Sequence, residues 1–137
     1  MDFPVNCLKG IPNSSFINEE GFVLPHLFYF PSQPRDENWK EQSINWEDDE
    51  GCLQLTLNQR REDGEFQFQV GVAVIPTEEV NRLCRRPSVH NFLSYERQPI
   101  TDNPYHGNLL LHKNASNVLM KAIAAGLALA VSEPKLR

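Results

Sequence analysis

The chain has 137 residues, of which 40% are hydrophobic and 23% are charged, and its formal net charge is −5. This length fits one domain, 1–137, with a core large enough to fold without disulfides or a structural metal. The negative net charge argues against a surface-wide affinity for nucleic acid or for an anionic membrane.

The cysteine pattern indicates a reducing compartment. Cys7, Cys52 and Cys84 are odd in number and form no Cys-x-x-Cys pair, which makes a poor disulfide framework and a poor zinc site. The first residues lack the basic and apolar regions of a secretory signal. The most apolar run, 122–131, is about half of the roughly 20 residues that a membrane span needs. We therefore expect a cytoplasmic protein without membrane segment, cofactor or metal.

The first third of the chain is rich in proline. Residues 1–42 hold half of the ten prolines. Proline fixes φ and lacks an N–H, so this segment should be mostly extended or irregular. The apolar run 22–30 within it predicts a strand, in which Pro25 indicates an edge position or a break.

A β-hairpin over about 52–75 is the clearest predicted element. Leucines alternate with polar residues over 53–57, which is typical of a half-buried strand. Asp63-Gly64 is a turn signal, because glycine readily adopts the positive φ of tight hairpins. Hydrophobic residues then alternate again over 66–74 and predict the second strand.

A short helix is predicted over about 77–86. Thr77 is placed to cap the first free amides, two acids follow in the first turn, and Pro87 ends the helix. Farther along, residues 108–112, which contain three consecutive leucines, predict a short buried strand.

A long apolar C-terminal helix is predicted over about 117–132. Asn114 or Ser116 caps it, Pro134 ends it, and Lys121 is the only charged residue in its apolar part. A helix that is apolar nearly all round lies in a core, or lies half in a core and half in a subunit interface.

These elements predict the fold class. Strands and helices in this order favour an α+β fold, a two-layer sandwich in which an antiparallel or mixed sheet is covered by helices on one face. The strand order does not follow from the pattern.

The segment 94–113 is the strongest candidate for a site. It is polar, contains two prolines and two histidines, and has no regular period before Leu109, so it predicts an exposed loop over 95–103 that carries binding groups. His106, beside Gly107, is a candidate general acid or base. The alternative is that these residues only build two turns.

A basic cluster precedes and overlaps this segment. Arginine forks recognise phosphate or carboxylate, and tyrosines stack on bases or sugars. The alternative is a solvated helix face with ordinary ion pairs. The predicted binding residues are Arg82, Arg85, Arg86, Tyr95, Glu96, Arg97, Tyr105 and His106.

An acidic stretch, 36–50, contains seven acids against one lysine. Acids with interleaved aromatic residues can present a partner surface. We favour a strand entry in which Trp39 and Trp46 turn into the core.

Three functions remain open at this level. No nucleophile elbow, phosphate loop or dinucleotide-binding motif is present in the sequence. The apolar C-terminal helix favours a non-enzymatic binding or accessory module that acts through protein–protein contacts with a partner or as a homo-oligomer. The first alternative is a small hydrolase or phosphate-handling enzyme that uses His106 with nearby arginines. The second is single-stranded nucleic-acid binding through arginines and tyrosines, which the net charge makes the least favoured.

Overall fold

The computed structural model describes residues 3–137, so the first two residues of the proline-rich segment lie outside the described part. Two 3-10 turns, Ser14–Phe16 and Pro25–Phe28, precede the second strand. In chain order the elements are β1 (Asn6–Ile11), β2 (Trp39–Trp46), α1 (Gly51–Asn58), β3 (Gly71–Pro76), α2 (Thr77–Cys84), β4 (Leu93–Arg97), β5 (His106–His112), α3 (Asn117–Ala130) and β6 (Glu133–Leu136).

The strands form one six-stranded sheet in the order β4-β5-β2-β1-β3-β6. Every neighbouring pair is antiparallel. This confirms the predicted α+β class and resolves the choice between an antiparallel and a mixed sheet.

Successive side chains of a strand point to opposite faces of the sheet, so two faces can be distinguished. The face under α2 and α3, here called the helix face, carries the main core, with Ile44, Trp46 and Leu109 fully or almost fully buried. The other face, here called the pocket face, carries a smaller cluster in which Leu8 and Val72 pack under α1. Because helices cover both faces of β3, its first five residues are all buried.

The predicted hairpin over 52–75 is wrong in its first arm, because residues 51–58 form α1. Leucines spaced two apart also contain an i, i+4 pair, and Leu53 and Leu57 use it to pack on the pocket-face cluster. Leucine and glutamine are good helix formers. The turn itself is present, with Gly64 at a φ of 85°, but its flanks pair only through one bridge, Arg60 with Phe66.

Two further predictions need correction. Residues 22–30 do not form a strand, because Pro25 starts a 3-10 turn and only Val23 makes an isolated bridge. Residues 95–97, predicted to begin an exposed loop over 95–103, belong instead to the edge strand β4, which pairs with β5. β4 lies at the edge of the sheet, where it has a neighbouring strand on one side only. Only Leu93 of this strand is fully buried, so the strand has no apolar run.

Both predicted helices are present at nearly the predicted bounds. α2 ends two residues early, and Thr77 does not cap it, since its hydroxyl donates instead to the Pro4 carbonyl at 2.6 Å. Ser116 caps α3 by accepting from the Leu119 amide at 3.0 Å. Within residues 3–137 no helix has the length and apolarity that a bilayer crossing requires.

Candidate functional site

The predicted binding residues are divided between the two faces of the sheet. On β4, Tyr95 and Arg97 point to the helix face, whereas Glu96 between them points to the pocket face. His106 on β5 pairs with Asn45 on β2, and both side chains lie on the pocket face. His106 therefore does not converge with Arg97 or with the arginines of α2, as the phosphate-handling alternative requires.

Three of the four arginines of the predicted basic cluster have carboxylate partners. Arg82 bonds Glu79 at 2.7 Å and Arg85 bonds Glu78 at 3.0 Å, both along α2. These exposed pairs neutralise charge locally and contribute little to stability.

Arg97 is held more firmly. It donates two bonds to the Asp48 carboxylate, at 2.9 and 2.6 Å. The hydrogen bonds from this guanidinium hold the pKa of Asp48 below its usual value.

Among residues 3–137, Arg86 has no ion pair. The cluster therefore leaves one arginine free for an anion, which is a weak basis for nucleic-acid binding.

The remaining predicted residues also have partners within the chain. Glu96 pairs with Arg35 at 2.8 Å, a residue that the sequence did not single out. The Tyr105 hydroxyl donates to Asp49 at 2.6 Å, and this bond raises the pKa of Tyr105 to about 12. The Tyr95 hydroxyl donates to Asn81 on α2. These contacts are those of a folded scaffold.

A polar cavity of about 210 Å³ lies on the pocket face beside α1. Its lining contains no lysine, arginine, aspartate or glutamate. Gly10 and Phe68 both lie in the cavity wall. A Cβ at position 10 would come within 2.1 Å of the Phe68 ring, so only glycine lets this ring pack directly on β1. The polar lining residues are Ser43, Asn45, Thr56, Gln59, Gln67, Asn103 and His106.

Buried amides form the inner wall of this cavity. Asn45, 5% exposed, donates to the Thr56 hydroxyl at 2.7 Å and accepts from the Asn103 amide at 2.8 Å. Thr56 in turn donates to the Cys52 carbonyl at 2.7 Å. The network ties α1 to the turn before β5, and this turn positions His106.

The His106 ring is fixed by two contacts. Its Nδ1 lies 2.9 Å from the Gln98 carbonyl, and its Nε2 lies 3.3 Å from the Ser43 hydroxyl. A carbonyl oxygen only accepts, so Nδ1 carries the proton and Nε2 faces Ser43 as an acceptor in the neutral ring. The Asn108 amide holds the Gln98 side chain at 2.7 Å.

The outer side of α3 is the second notable surface. Val118 is 80% exposed and Leu129 is 88% exposed, and Ala122 and Ala125 lie between them on the same side of the helix. The spacing i, i+4, i+7, i+11 places the four residues in one line. We call these four residues the outer stripe.

An apolar groove of about 500 Å³ lies beside the Leu129 end of the outer stripe. Phe22, 66% exposed, lies in its wall together with Pro25 and Pro134. Contiguous exposed apolar surface is typical of sites where a protein binds a partner.

The sequence predicted part of these two sites. His106 was singled out, but Ser43 was missed because it lies 63 residues away and carries no motif. The apolar character of α3 was predicted, but an almost wholly apolar helix does not show which side is exposed.

Within the described residues, no group of three His, Cys, Asp or Glu side chains is arranged to hold a metal ion. Comparison with family models, with curated proteins and with solved structures found no match for this chain.

Proposed function

We propose that this protein is a binding module that acts through protein–protein contacts and pairs with a second copy of itself through α3, in a reducing cytoplasmic compartment. The observation that carries the proposal is the outer stripe, whose two large apolar ends are 80% and 88% exposed. Leaving such side chains in water is unfavourable by about 1.5–3 kcal/mol each relative to burial.

The outer stripe is symmetric about its own centre. Its order is large, small, small, large, and its midpoint falls between residues 123 and 124. If two copies of α3 pack antiparallel about a two-fold axis there, Val118 of one copy meets Leu129 of the other. Ala122 of one copy then meets Ala125 of the other. A two-fold interface needs a self-complementary patch of this kind, and the alanines allow the two helices to approach closely.

The groove extends this pairing beyond the helices. Because it lies at the Leu129 end, the antiparallel arrangement places it opposite the Val118 end of the other copy. Each groove would then bury part of the neighbouring copy, and the exposed Phe22 side chain would lose contact with water. Stable dimers bury roughly 800 Å² per partner, and the two grooves add apolar surface to that of the two stripes.

Light scattering after size exclusion tests the proposal on the full chain. We expect twice the chain mass for the natural protein and the single-chain mass for Leu129→Glu and Val118→Glu. Symmetry makes each substitution act twice, so Leu129→Glu removes about 3–6 kcal/mol of apolar burial. That loss weakens pairing at least about 100-fold.

Val5→Glu is the matched control. Val5 is a valine that is also 80% exposed, but it lies just before β1, outside α3, and does not line the groove. It should leave the dimer mass unchanged. A natural protein that stays at the single-chain mass at high micromolar concentration would rule out self-pairing and leave the outer stripe to a different protein.

A further inference from the structure

The strongest unassigned feature lies on the other face of the sheet. The Ser43 hydroxyl, the His106 ring and the Gln98 carbonyl lie in a row, with separations of 3.3 and 2.9 Å. The Ser43 side chain is exposed and His106 is half-buried, so both reach the cavity. A hydroxyl beside a base that a third group orients is the general arrangement of an activated serine.

We propose that this cavity hydrolyses small neutral esters, with Ser43 as nucleophile and His106 as general base. Ser43 Oγ attacks the acyl carbon while its proton passes to His106 Nε2. The tetrahedral intermediate collapses, the bond from carbon to the alcohol oxygen breaks, and Nε2 returns the proton to the leaving alkoxide. Water then attacks the acyl-serine, with His106 taking its proton. The carboxylic acid leaves and Ser43 regains its hydrogen.

The cavity restricts the substrate class. Its lining contains no lysine or arginine, so no cationic side chain there compensates a phosphate or a charged acid. Its volume of about 210 Å³ lies below the ~300–1,000 Å³ of drug-sized sites, so a short acyl chain fits. The side-chain amides of Gln59 and Gln67 line the same cavity, and we assign to them the donation of hydrogen bonds to the developing oxyanion.

Asn108 acts as a positioning residue in this arrangement. It is 1% exposed and holds the Gln98 side chain at 2.7 Å. The Gln98 backbone also donates to the His106 carbonyl at 2.9 Å. These bonds fix the carbonyl that orients the imidazole, so Nε2 keeps facing Ser43.

Two measurements test the proposal. The first is hydrolysis of 4-nitrophenyl butyrate by the natural protein, Ser43→Ala, His106→Gln and the control Ser32→Ala. Ser32 is likewise an exposed serine, but it lies in the loop before β2. We expect kcat/KM to fall at least about 100-fold in the first two variants, the usual effect of general-base catalysis, and not to change in the control.

The second measurement is labelling with a fluorophosphonate, which reacts with activated serines, followed by peptide mass spectrometry. The proposal predicts a single adduct on Ser43 that His106→Gln abolishes. An unlabelled Ser43, or hydrolysis equal in the natural protein and Ser43→Ala, would overturn it. Since Ser43 is exposed, Ser43→Ala should unfold at the temperature of the natural protein, and that check excludes loss of the fold. The stripe variants should hydrolyse the ester normally, so failure of self-pairing is distinguishable.

Discussion

Replacing Asn45 by alanine should destabilise the protein more than any single exposed polar substitution. Asn45 is 5% exposed and makes two side-chain hydrogen bonds, one with Thr56 and one with Asn103. Both partners are themselves at most 2% exposed. Alanine would leave a buried acceptor and a buried donor without these bonds.

The magnitude follows from those two losses. A buried polar group left without its partner costs about 1–3 kcal/mol. Thr56 keeps its bond to the Cys52 carbonyl, and the Asn103 Oδ1 keeps its bond from the Tyr105 amide, so the main loss falls on the Asn103 Nδ2 donor. We therefore expect Asn45→Ala to lower the free energy of unfolding by about 2–4 kcal/mol, a large part of the ~5–15 kcal/mol of a typical domain.

Urea unfolding followed by tryptophan fluorescence measures this change, because Trp46 is fully buried in the core. All variants are compared at one protein concentration, since self-association adds to apparent stability. Asn91→Ala is the control, because its side chain is exposed, and it should change stability by less than about 0.5 kcal/mol.

A double-mutant cycle separates the shared bond from general damage. Asn45→Ala and Asn103→Ala should couple by about 1 kcal/mol or more, since they remove the same 2.8 Å hydrogen bond. Additive effects of the two substitutions would refute the reasoning, because they would show that the two amides do not support each other.

Two further predictions concern titration and thiol chemistry. Burial lowers the pKa of Lys9 from 10.5 to about 8, so the unfolded chain binds more protons between these values and this lysine's contribution to stability rises with pH from 8 to 10.5. Removing the lysine charge in Lys9→Met should stabilise the protein at pH 7 by at most about 3 kcal/mol, from which the lost bond to the Ser43 carbonyl subtracts about 1 kcal/mol. Urea titrations at several pH values measure this stabilisation. If it did not shrink toward pH 10, the interpretation would be contradicted. Burial also raises the pKa of Cys7 and Cys52 to about 12 and that of Cys84 to about 11. Ellman's reagent at pH 8 should therefore react slowly with the folded protein and rapidly with three thiols in denaturant, and fast reaction of the folded protein would show that these thiols are not protected.

The limits of sequence reasoning are visible at α1 and β4. Leu53, Leu55 and Leu57 satisfy the period of a strand, but the pair at 53 and 57 also satisfies that of a helix. Only the partner surface of Leu8 and Val72 decides between them. β4 was missed for the opposite reason, because a polar edge strand has no apolar period to detect.

Predictions that depend on residues close together in the sequence agreed better with the structure. The Ser116 cap, the stop before Pro134 and the turn at Gly64 depend on neighbours in sequence, and all three occur in the structure. Trp46 is fully buried, as favoured for the acidic stretch, whereas Trp39 is only half-buried.

The two sites differ in how far a sequence can lead to them. The outer stripe lies on a helix that the sequence predicts, although the sequence does not show which side of that helix is exposed. The contact between Ser43 and His106 joins β2 to β5 across 63 residues. It exists only because the sheet order brings these strands together.

A cysteine cross-link tests the antiparallel pairing of α3 most directly. In the antiparallel register, residue 118 of one copy faces residue 129 of the other, whereas the two copies of residue 118 are separated by about 16 Å along the helix axis alone. A disulfide needs Cα atoms within about 7 Å. In a Cys84→Ser background, we predict that oxidation cross-links a mixture of Val118→Cys and Leu129→Cys and leaves each variant alone uncross-linked. Cross-linking of Val118→Cys alone, or no cross-link in the mixture, would contradict the account.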